Sequence, residues 1–193
     1  MFFLFDTTVE NLDNKYRNSR MEFDSVYFWT DTVKDWKCVL EPNQYKQIIL
    51  SSWRELVSRG MVIVYGFVIM PNHLHVIWEM KEPNGKEMPY ASFNKFTSHM
   101  IVKDLAAVSP KRLSEFKVDD EDRLFRIWQR DPLAILMDSR EKLEQKLTYL
   151  HNNPLQSHWN LSDSPENYRW SSALFYEKGI DGFGFITHYM ERF

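Results

Sequence analysis

A hairpin of two apolar strands constrains the fold of this chain more than any other feature. Residues 61–70 read MVIVYGFVIM and residues 73–80 read HLHVIWEM, with Pro71 and Asn72 between them. Both runs are rich in the β-branched and aromatic residues that favour strands, and both are too short for a membrane-spanning helix. Proline and asparagine in a two-residue connection favour a turn. The sequence therefore predicts two buried antiparallel strands joined at Pro71.

Helical and extended segments alternate around this hairpin. Helical spacing of apolar residues predicts helices at 42–59, 90–107 and 138–153, and strand-like composition marks 26–33 and 123–137. The first five elements and the strand at 123–137 give a βαββαβ order, which predicts an α+β, ferredoxin-like fold. We expect one antiparallel sheet with two helices on one face. The additional C-terminal helix at 138–153, or a ligand, would cover the other face.

Length and composition favour one domain over residues 1–193. Hydrophobic residues make up 44% of the chain and aromatic residues 16%, which is enough for a packed core. We expect a peripheral arm at 1–20, a core at 21–154 and a C-terminal tail at 155–193. The N-terminus has no signal-peptide pattern, and the single cysteine, Cys38, fits a reducing compartment. These features predict a cytoplasmic protein that does not associate with membranes.

The charge distribution does not by itself indicate nucleic acid as a partner. The net charge is −3, whereas simple DNA-binding proteins are usually basic. An acidic run at 119–122 predicts a solvated loop, and the lysines and arginines are dispersed along the rest of the chain. A local basic face stays open as an alternative.

The strand at 73–80 presents two histidines on one face. Because side chains alternate along a strand, His73 and His75 point the same way, and Leu74 and Val76 point to the opposite face. Two imidazole nitrogens on one rigid segment suit a metal ion. An isolated His-x-His pattern also fits two ordinary polar residues on a half-exposed strand, and the residues alone leave both interpretations open.

The predicted helix at 138–153 carries a second pair of polar residues. Asp138 and Glu141 have the spacing of a capping box at its start. Tyr149 and Asn153 are four residues apart and therefore lie on one face of the helix. A tyrosine beside an amide oxygen, opposite two imidazoles, could be a nucleophile beside a metal. Taken alone, Tyr149 equally fits a packing residue, and Asn153 fits a helix end.

Two stretches of the sequence resemble one known family. HLHVIW resembles the His-hydrophobic-His motif of the HUH nucleases. TYLHNNPL, followed by PENYRWSSALFY, resembles the C-terminal signature of the REP-associated tyrosine transposases, which are single-tyrosine HUH transposases. The similarity extends in the same order from the first strand to residue 176. It implies an antiparallel sheet backed by helices, a divalent metal (Mg²⁺ or Mn²⁺) and cleavage of single-stranded DNA.

The resemblance also implies a role for each motif residue. His73 and His75 would be metal ligands, Asn153 would take the place of the third ligand, and Tyr149 would be the nucleophile. Attack by Tyr149 on a backbone phosphate would release a 3′-hydroxyl and leave a 5′-phosphotyrosine linkage. Ligand chemistry alone matches Mg²⁺ poorly, so the choice of Mg²⁺ or Mn²⁺ comes from the resemblance. DNA hairpins are the implied partners, and relatives include both monomers and homodimers.

Single-stranded DNA also requires stacking aromatics and backbone cations, for which Arg126, Trp128 and Arg130 are candidates because they alternate along one extended segment. Trp128 equally fits the core. Two other functions stay open. One is a transposase-derived protein that binds DNA hairpins without cleaving them. The other is a zinc-dependent small-molecule enzyme built on His73 and His75, which would need a third strong ligand.

Overall fold

The structure, a computed structural model, describes residues 21–193. The arm predicted at 1–20 lies outside the described residues. The strands are β1 Val26–Thr32, β2 Val62–Ile69, β3 His73–Met80, β4 Lys117–Asp120, β5 Arg123–Phe125 and β6 Leu133–Leu136. The helices are α1 Asn43–Ser58, α2 Pro89–Val108, α3 Pro110–Ser114, α4 Arg140–Asn152 and α5 Ala173–Lys178.

Four strands form one antiparallel sheet in the order β2-β3-β1-β6. β2 and β3 pair on either side of the turn at Pro71 and Asn72, which confirms the predicted hairpin. β1 lies between β3 and β6 and pairs with both. With α1 and α2 as the connections, this is the strand order of a ferredoxin-like βαββαβ fold. The predicted fold class is therefore confirmed.

The two faces of the sheet are covered by different layers. α1 and α2 cover one face, where Trp53 stacks on Phe93 with ring centroids 5.5 Å apart and Trp78 packs against Phe93. α4 packs against β2 and β3 on the opposite face. A helix therefore covers the face on which His73 and His75 lie, and this was one of the two outcomes expected for that face.

The start of α4 differs from the predicted capping box. The cap is Ser139, whose hydroxyl oxygen accepts a hydrogen bond from the backbone N–H of Lys142. The pairing of Asp138 with Glu141 is therefore wrong. Asp138 lies one residue before the cap, and its carboxylate is 3.7 Å from the ammonium of Lys142. The helix begins at Arg140 because a serine hydroxyl can satisfy a free N–H of the first turn.

The tail predicted at 155–193 packs against β2. The Tyr168 hydroxyl donates to the carbonyl of Ile69 at 2.8 Å, and the Tyr176 hydroxyl donates to the carbonyl of Tyr65 at 2.7 Å. These bonds satisfy β2 carbonyls and hold the tail beside α4. No helix within residues 21–193 combines the length and the apolar character needed to cross a membrane.

Candidate active site

His73 and His75 lie side by side at the start of β3, with ring centroids 4.8 Å apart. Both point towards α4 because they occupy alternate positions on one strand. Both are buried, with exposed fractions of 7% and 5%. The strand thus holds two imidazoles in a fixed relation beneath the helix that carries Tyr149.

The Nδ1 atom of each ring is held by an oxygen atom of a neighbouring side chain. Nδ1 of His73 lies 2.7 Å from Oδ1 of Asn72, so the ring N–H donates and Nε2 keeps its lone pair. Nδ1 of His75 lies 2.8 Å from Oγ1 of Thr30. Nε2 of His75 is buried without a hydrogen-bond partner within residues 21–193. An Nδ1–H held by an oxygen is the usual second-sphere arrangement of a metal-binding histidine.

Burial keeps both imidazoles neutral. Desolvation lowers the pKa of His73 to about 4, and the charge of His158 acts in the same direction. Desolvation also lowers the pKa of His75 well below its ordinary value, with further contributions from His73 and Lys146. Neutral imidazole is the form that coordinates a metal ion. The site therefore needs no deprotonation at neutral pH before it can bind one.

Asn153 closes the site at the end of α4. The residue is 2% exposed, and its Oδ1 is another buried acceptor that lacks a hydrogen-bond partner in the described part of the chain. Its side chain is close enough to His73 and Tyr149 to influence the pKa of each. An amide oxygen without a partner is costly to bury. The structure therefore brings a third lone-pair donor to the two imidazoles.

The Tyr149 ring lies over the same pocket. Its centroid is 5.4 Å from that of His75 and 6.1 Å from that of Phe28. The residue is 46% exposed, so one side of the ring is packed and the other can be reached from solvent. Burial of the hydroxyl raises the pKa of Tyr149, which Asn153 partly offsets. The phenol is therefore neutral at pH 7 and is a weak nucleophile without activation.

The donor set fits a divalent cation. Two imidazole nitrogens and one amide oxygen suit Mn²⁺ and later transition metals, whereas Mg²⁺ would rely more on water and phosphate oxygens. Among residues 21–193, no group of three or more His, Cys, Asp or Glu side chains could hold a metal ion. The zinc-enzyme alternative therefore has no third strong ligand in this part of the chain.

Trp128 does not join this site. Its side chain is 4% exposed, its ring packs against Phe93, and its indole N–H donates to the hydroxyl of Thr97 at 2.9 Å. The residue belongs to the core layer beneath α2, on the far side of the sheet from His73. Its burial corrects the interpretation of Trp128 as a base-stacking residue.

The two arginines beside Trp128 are bound to one carboxylate. Arg126 and Arg130 both form ion pairs with Asp120. The side chain of Arg130 is 68% exposed, whereas that of Arg126 is 17% exposed. A contact between Arg130 and a DNA backbone stays a prediction, and the same contact for Arg126 would require it to leave its partner.

His151 lies near Tyr149 in sequence but on another side of α4. Its Nε2 is 2.8 Å from the hydroxyl oxygen of Ser172, and the ring packs beside Tyr176. This contact ties α4 to the tail. It leaves His151 out of reach as a base for the Tyr149 hydroxyl.

Sequence reasoning missed the residues that orient the imidazoles. Thr30 lies directly opposite His75 in the pairing of β1 with β3, which no local pattern indicates. The sequence predicts Asn72 as a turn residue and gives it no further role. Two indoles, those of Trp36 and Trp159, lie near His73, with ring centroids 6.2 and 6.0 Å from that of the imidazole. The adjacency of Asn72 to the histidine pair is the one sign that the sequence offered.

Fold and site together define the class: a ferredoxin-like antiparallel sheet with two neighbouring histidines facing a helix-borne tyrosine. No family model and no curated protein matches this chain. Among solved structures, one similar chain is a REP-associated tyrosine transposase bound to a REP hairpin. The TM-score is 0.57 at 15% identity, and the similarity covers 85% of this chain and 87% of that one. This likeness shows the shared fold.

Proposed function

We propose that this protein is a metal-dependent endonuclease and strand transferase of single-stranded DNA that acts on DNA hairpins. The observation that carries the proposal is the position of the Tyr149 ring, whose centroid is 5.4 Å from that of an imidazole with an unpartnered buried Nε2. A phenol beside metal-ligating nitrogens is the pairing needed for attack on a phosphodiester.

His73, His75 and Asn153 would hold the cation, either Mg²⁺ or Mn²⁺. When bound, the cation supplies Lewis-acid stabilisation of negative charge on the scissile phosphate. Tyr149 supplies the attacking oxygen. A bond forms between its hydroxyl oxygen and phosphorus, the bond from phosphorus to the 3′-oxygen breaks, the phenol loses its proton and the 3′-oxygen gains one. The product is a 5′-phosphotyrosine and a free 3′-hydroxyl, and a second 3′-hydroxyl can reverse the step.

The accessibility of Tyr149 supports a polymeric substrate. The residue is 46% exposed, while both histidines lie beneath it and are nearly buried. A strand could therefore approach from the solvent side of α4 with a phosphate directed inwards. A small-molecule enzyme more often encloses its substrate in a deep apolar pocket.

The choice of a hairpin rests on likeness of two kinds. The motifs around His73 and Tyr149 resemble those of REP-associated tyrosine transposases, and the solved structure with the shared fold is bound to a REP hairpin. A net charge of −3 argues against strong non-sequence-specific binding of DNA. Recognition of a shaped structure such as a stem-loop is compatible with that charge.

A covalent trapping experiment tests the proposal. The probe is a pool of oligonucleotides in which a stem-loop is flanked by randomised single-stranded bases, incubated with Mn²⁺ or Mg²⁺. We expect an adduct that survives denaturing electrophoresis, that disappears in EDTA and that is absent from Tyr149→Phe. Tyr90→Phe is the control, since Tyr90 packs against Trp29 on the opposite face of the sheet. A protein that binds the hairpins but never forms the adduct would be a hairpin-binding protein and not a nuclease.

A further inference from the structure

Trp36 is an exposed indole beside a proposed metal ligand. It ends the short 3₁₀ turn Lys34–Trp36, which follows β1. Its ring centroid is 6.2 Å from that of His73, with the planes at 67°, yet 52% of the residue is exposed. A large aromatic side chain is usually buried to a greater extent. The loop therefore presents an apolar ring at the edge of the site.

The backbone of this loop is held in an unfavourable conformation. Asp35 and Trp36 both have φ of 56°. Every other non-glycine residue with positive φ in the described residues is an aspartate or asparagine, types that tolerate this region better than tryptophan does. Such strain persists only where surrounding contacts enforce it, and it concentrates at functional sites.

The enforcing contacts connect the loop to the site. Asn72 donates from its amide nitrogen to the Trp36 carbonyl at 3.3 Å, and its amide oxygen accepts from His73 at 2.7 Å. The N–H of Val33 donates to the Asn72 carbonyl at 2.8 Å, and the N–H of Leu40 donates to the Pro71 carbonyl at 2.9 Å. The Asn72 side chain thus fixes both the orientation of the His73 imidazole and the position of the loop that carries Trp36.

A second indole, that of Trp159, lies close to the same imidazole. Its ring centroid is 6.0 Å from that of His73, and the residue is half-buried. Trp36 is the more exposed of the two rings. A nucleotide whose phosphate reached the histidines would therefore have an indole face within reach of its base.

We propose that Trp36 stacks on an unpaired base adjacent to the phosphate held at His73 and His75. The inference rests on the proposed function and adds to it a positioning residue and a single-stranded substrate segment. Aromatic stacking tolerates any base, because every base has a π-face. Trp36 would therefore set where the strand lies without selecting its sequence.

Binding measurements with matched variants test the stacking. Each variant is made in a Tyr149→Phe background, and the probe is a fluorescent stem-loop oligonucleotide with single-stranded flanks. Loss of one stacked base weakens binding by about tenfold or more, so we expect Trp36→Ala to raise Kd by at least about tenfold. Trp36→Phe keeps an aromatic face and should recover most of that loss. Phe96→Ala is the control, because Phe96 is a similarly exposed aromatic, 45%, on α2.

An abasic scan of the flank then locates the partner of Trp36. At one position of the flank, removal of the base should weaken binding by the parent protein. With that abasic oligonucleotide, the parent and Trp36→Ala should bind with the same affinity. Unchanged affinity of Trp36→Ala, or a loss that no abasic position removes, would overturn the stacking proposal. Circular dichroism of each variant separates loss of the ring from loss of the fold. If Trp36→Ala unfolds, Trp36→Gln decides the outcome, because it keeps a long side chain but has no aromatic face and should weaken binding as Trp36→Ala would.

Adduct formation by the unmodified protein distinguishes the two proposals. If the unmodified protein forms an adduct but Trp36→Ala does not change the affinity, the nuclease proposal stands and the stacking proposal fails. If the affinity depends on Trp36 but no adduct forms, Trp36 is a stacking residue of a DNA-binding protein, and the nuclease proposal fails. Absence of any hairpin binding overturns both.

Discussion

The Tyr149 ring lies at a steep angle to the imidazole of His75, with centroids 5.4 Å apart and planes at 62°. α4 brings the two rings together because its inner side packs on β2, where Leu147 approaches Gly66. The position of the phenol therefore depends on close packing of α4 against β2 at Gly66, which has no side chain. That dependence makes Gly66 a test of the site.

Gly66→Ala should disturb the tyrosine helix. A Cβ at this position would lie 2.6 Å from Cδ1 of Leu147 and 3.3 Å from Oγ of Ser172, so the helix or the leucine must shift. Overpacking of this kind costs about 1–3 kcal/mol. We expect single-turnover adduct formation to slow by about tenfold or more, with a smaller change in hairpin affinity. Gly182→Ala is the control, since nothing lies within 4 Å of its added Cβ.

A partner change sharpens the Gly66 test. Leu147→Val removes the terminal carbon that the new methyl group would meet, so the double variant should regain part of the lost rate. A Gly66→Ala protein that forms the adduct at the parental rate would show that the helix position does not limit the chemistry.

Thr30→Val should weaken metal binding although Thr30 is not a ligand. The substitution keeps the shape and removes the oxygen that holds Nδ1 of His75 at 2.8 Å. Loss of such a partner typically costs about 10–100-fold in metal affinity. The measurement is a titration of free Mn²⁺ by electron paramagnetic resonance. Thr32→Val, on the same face of β1, is the control, and equal effects of the two changes would contradict the assigned role.

Asn153→Asp should make the stability of the protein depend on the cation. Asn153 is 2% exposed, so a carboxylate placed there without a counter-charge would destabilise the fold. A hard divalent ion would offset that cost, and Mn²⁺ should raise the melting temperature of Asn153→Asp more than that of the parent. Asn152→Asp is the control, because Asn152 is exposed at the adjacent position. If Mn²⁺ does not change the melting temperature of Asn153→Asp, residue 153 is not a ligand of the ion.

Asp31→Asn should stabilise the protein more at high pH than at low pH. Burial raises the pKa of Asp31 to about 7. An acid with a raised folded-state pKa contributes stability that is complete below its unfolded pKa and is lost as pH rises through the folded value. Denaturant unfolding gives the difference in the free energy of unfolding between Asp31→Asn and the parent. We expect this difference to be more favourable to the variant at about pH 8 than at about pH 5, by on the order of 2 kcal/mol.

The exposed Asp163 provides the control for this pH effect. Asp163→Asn should shift the free energy of unfolding by the same amount at both pH values. A pH-independent difference for Asp31→Asn would show that the Asp31 carboxyl stays ionised in the folded protein.

The main elements of the fold could be predicted because their patterns are local. Apolar spacing placed α1 at 42–59 and the hairpin at 61–80, close to the observed bounds. The extended segment predicted at 123–137 divides into β5, which pairs with β4, and β6, which joins the main sheet. β4 was missed because it is short and the acidic run at 119–122 looks like a loop. The end of β4 and the turn that follows occupy that run.

The candidate site could be predicted only in part, because some of its contacts join residues that are distant in the sequence. His73, His75 and Tyr149 belong to motifs that can be read along the chain. The contact of Thr30 with His75 depends on strand register, which arises from pairing across the sheet. Trp128 shows the opposite error, because alternation with two arginines looked like an exposed face although the indole fills the core.

Tyr149 and Asn153 lie one helical turn apart at the end of α4, so the proposed nucleophile and the proposed third ligand belong to one rigid element. Any displacement of α4 would move the amide oxygen together with the phenol, so that only the two imidazoles would remain at the proposed ion site. The docked and undocked states would then differ in cation affinity.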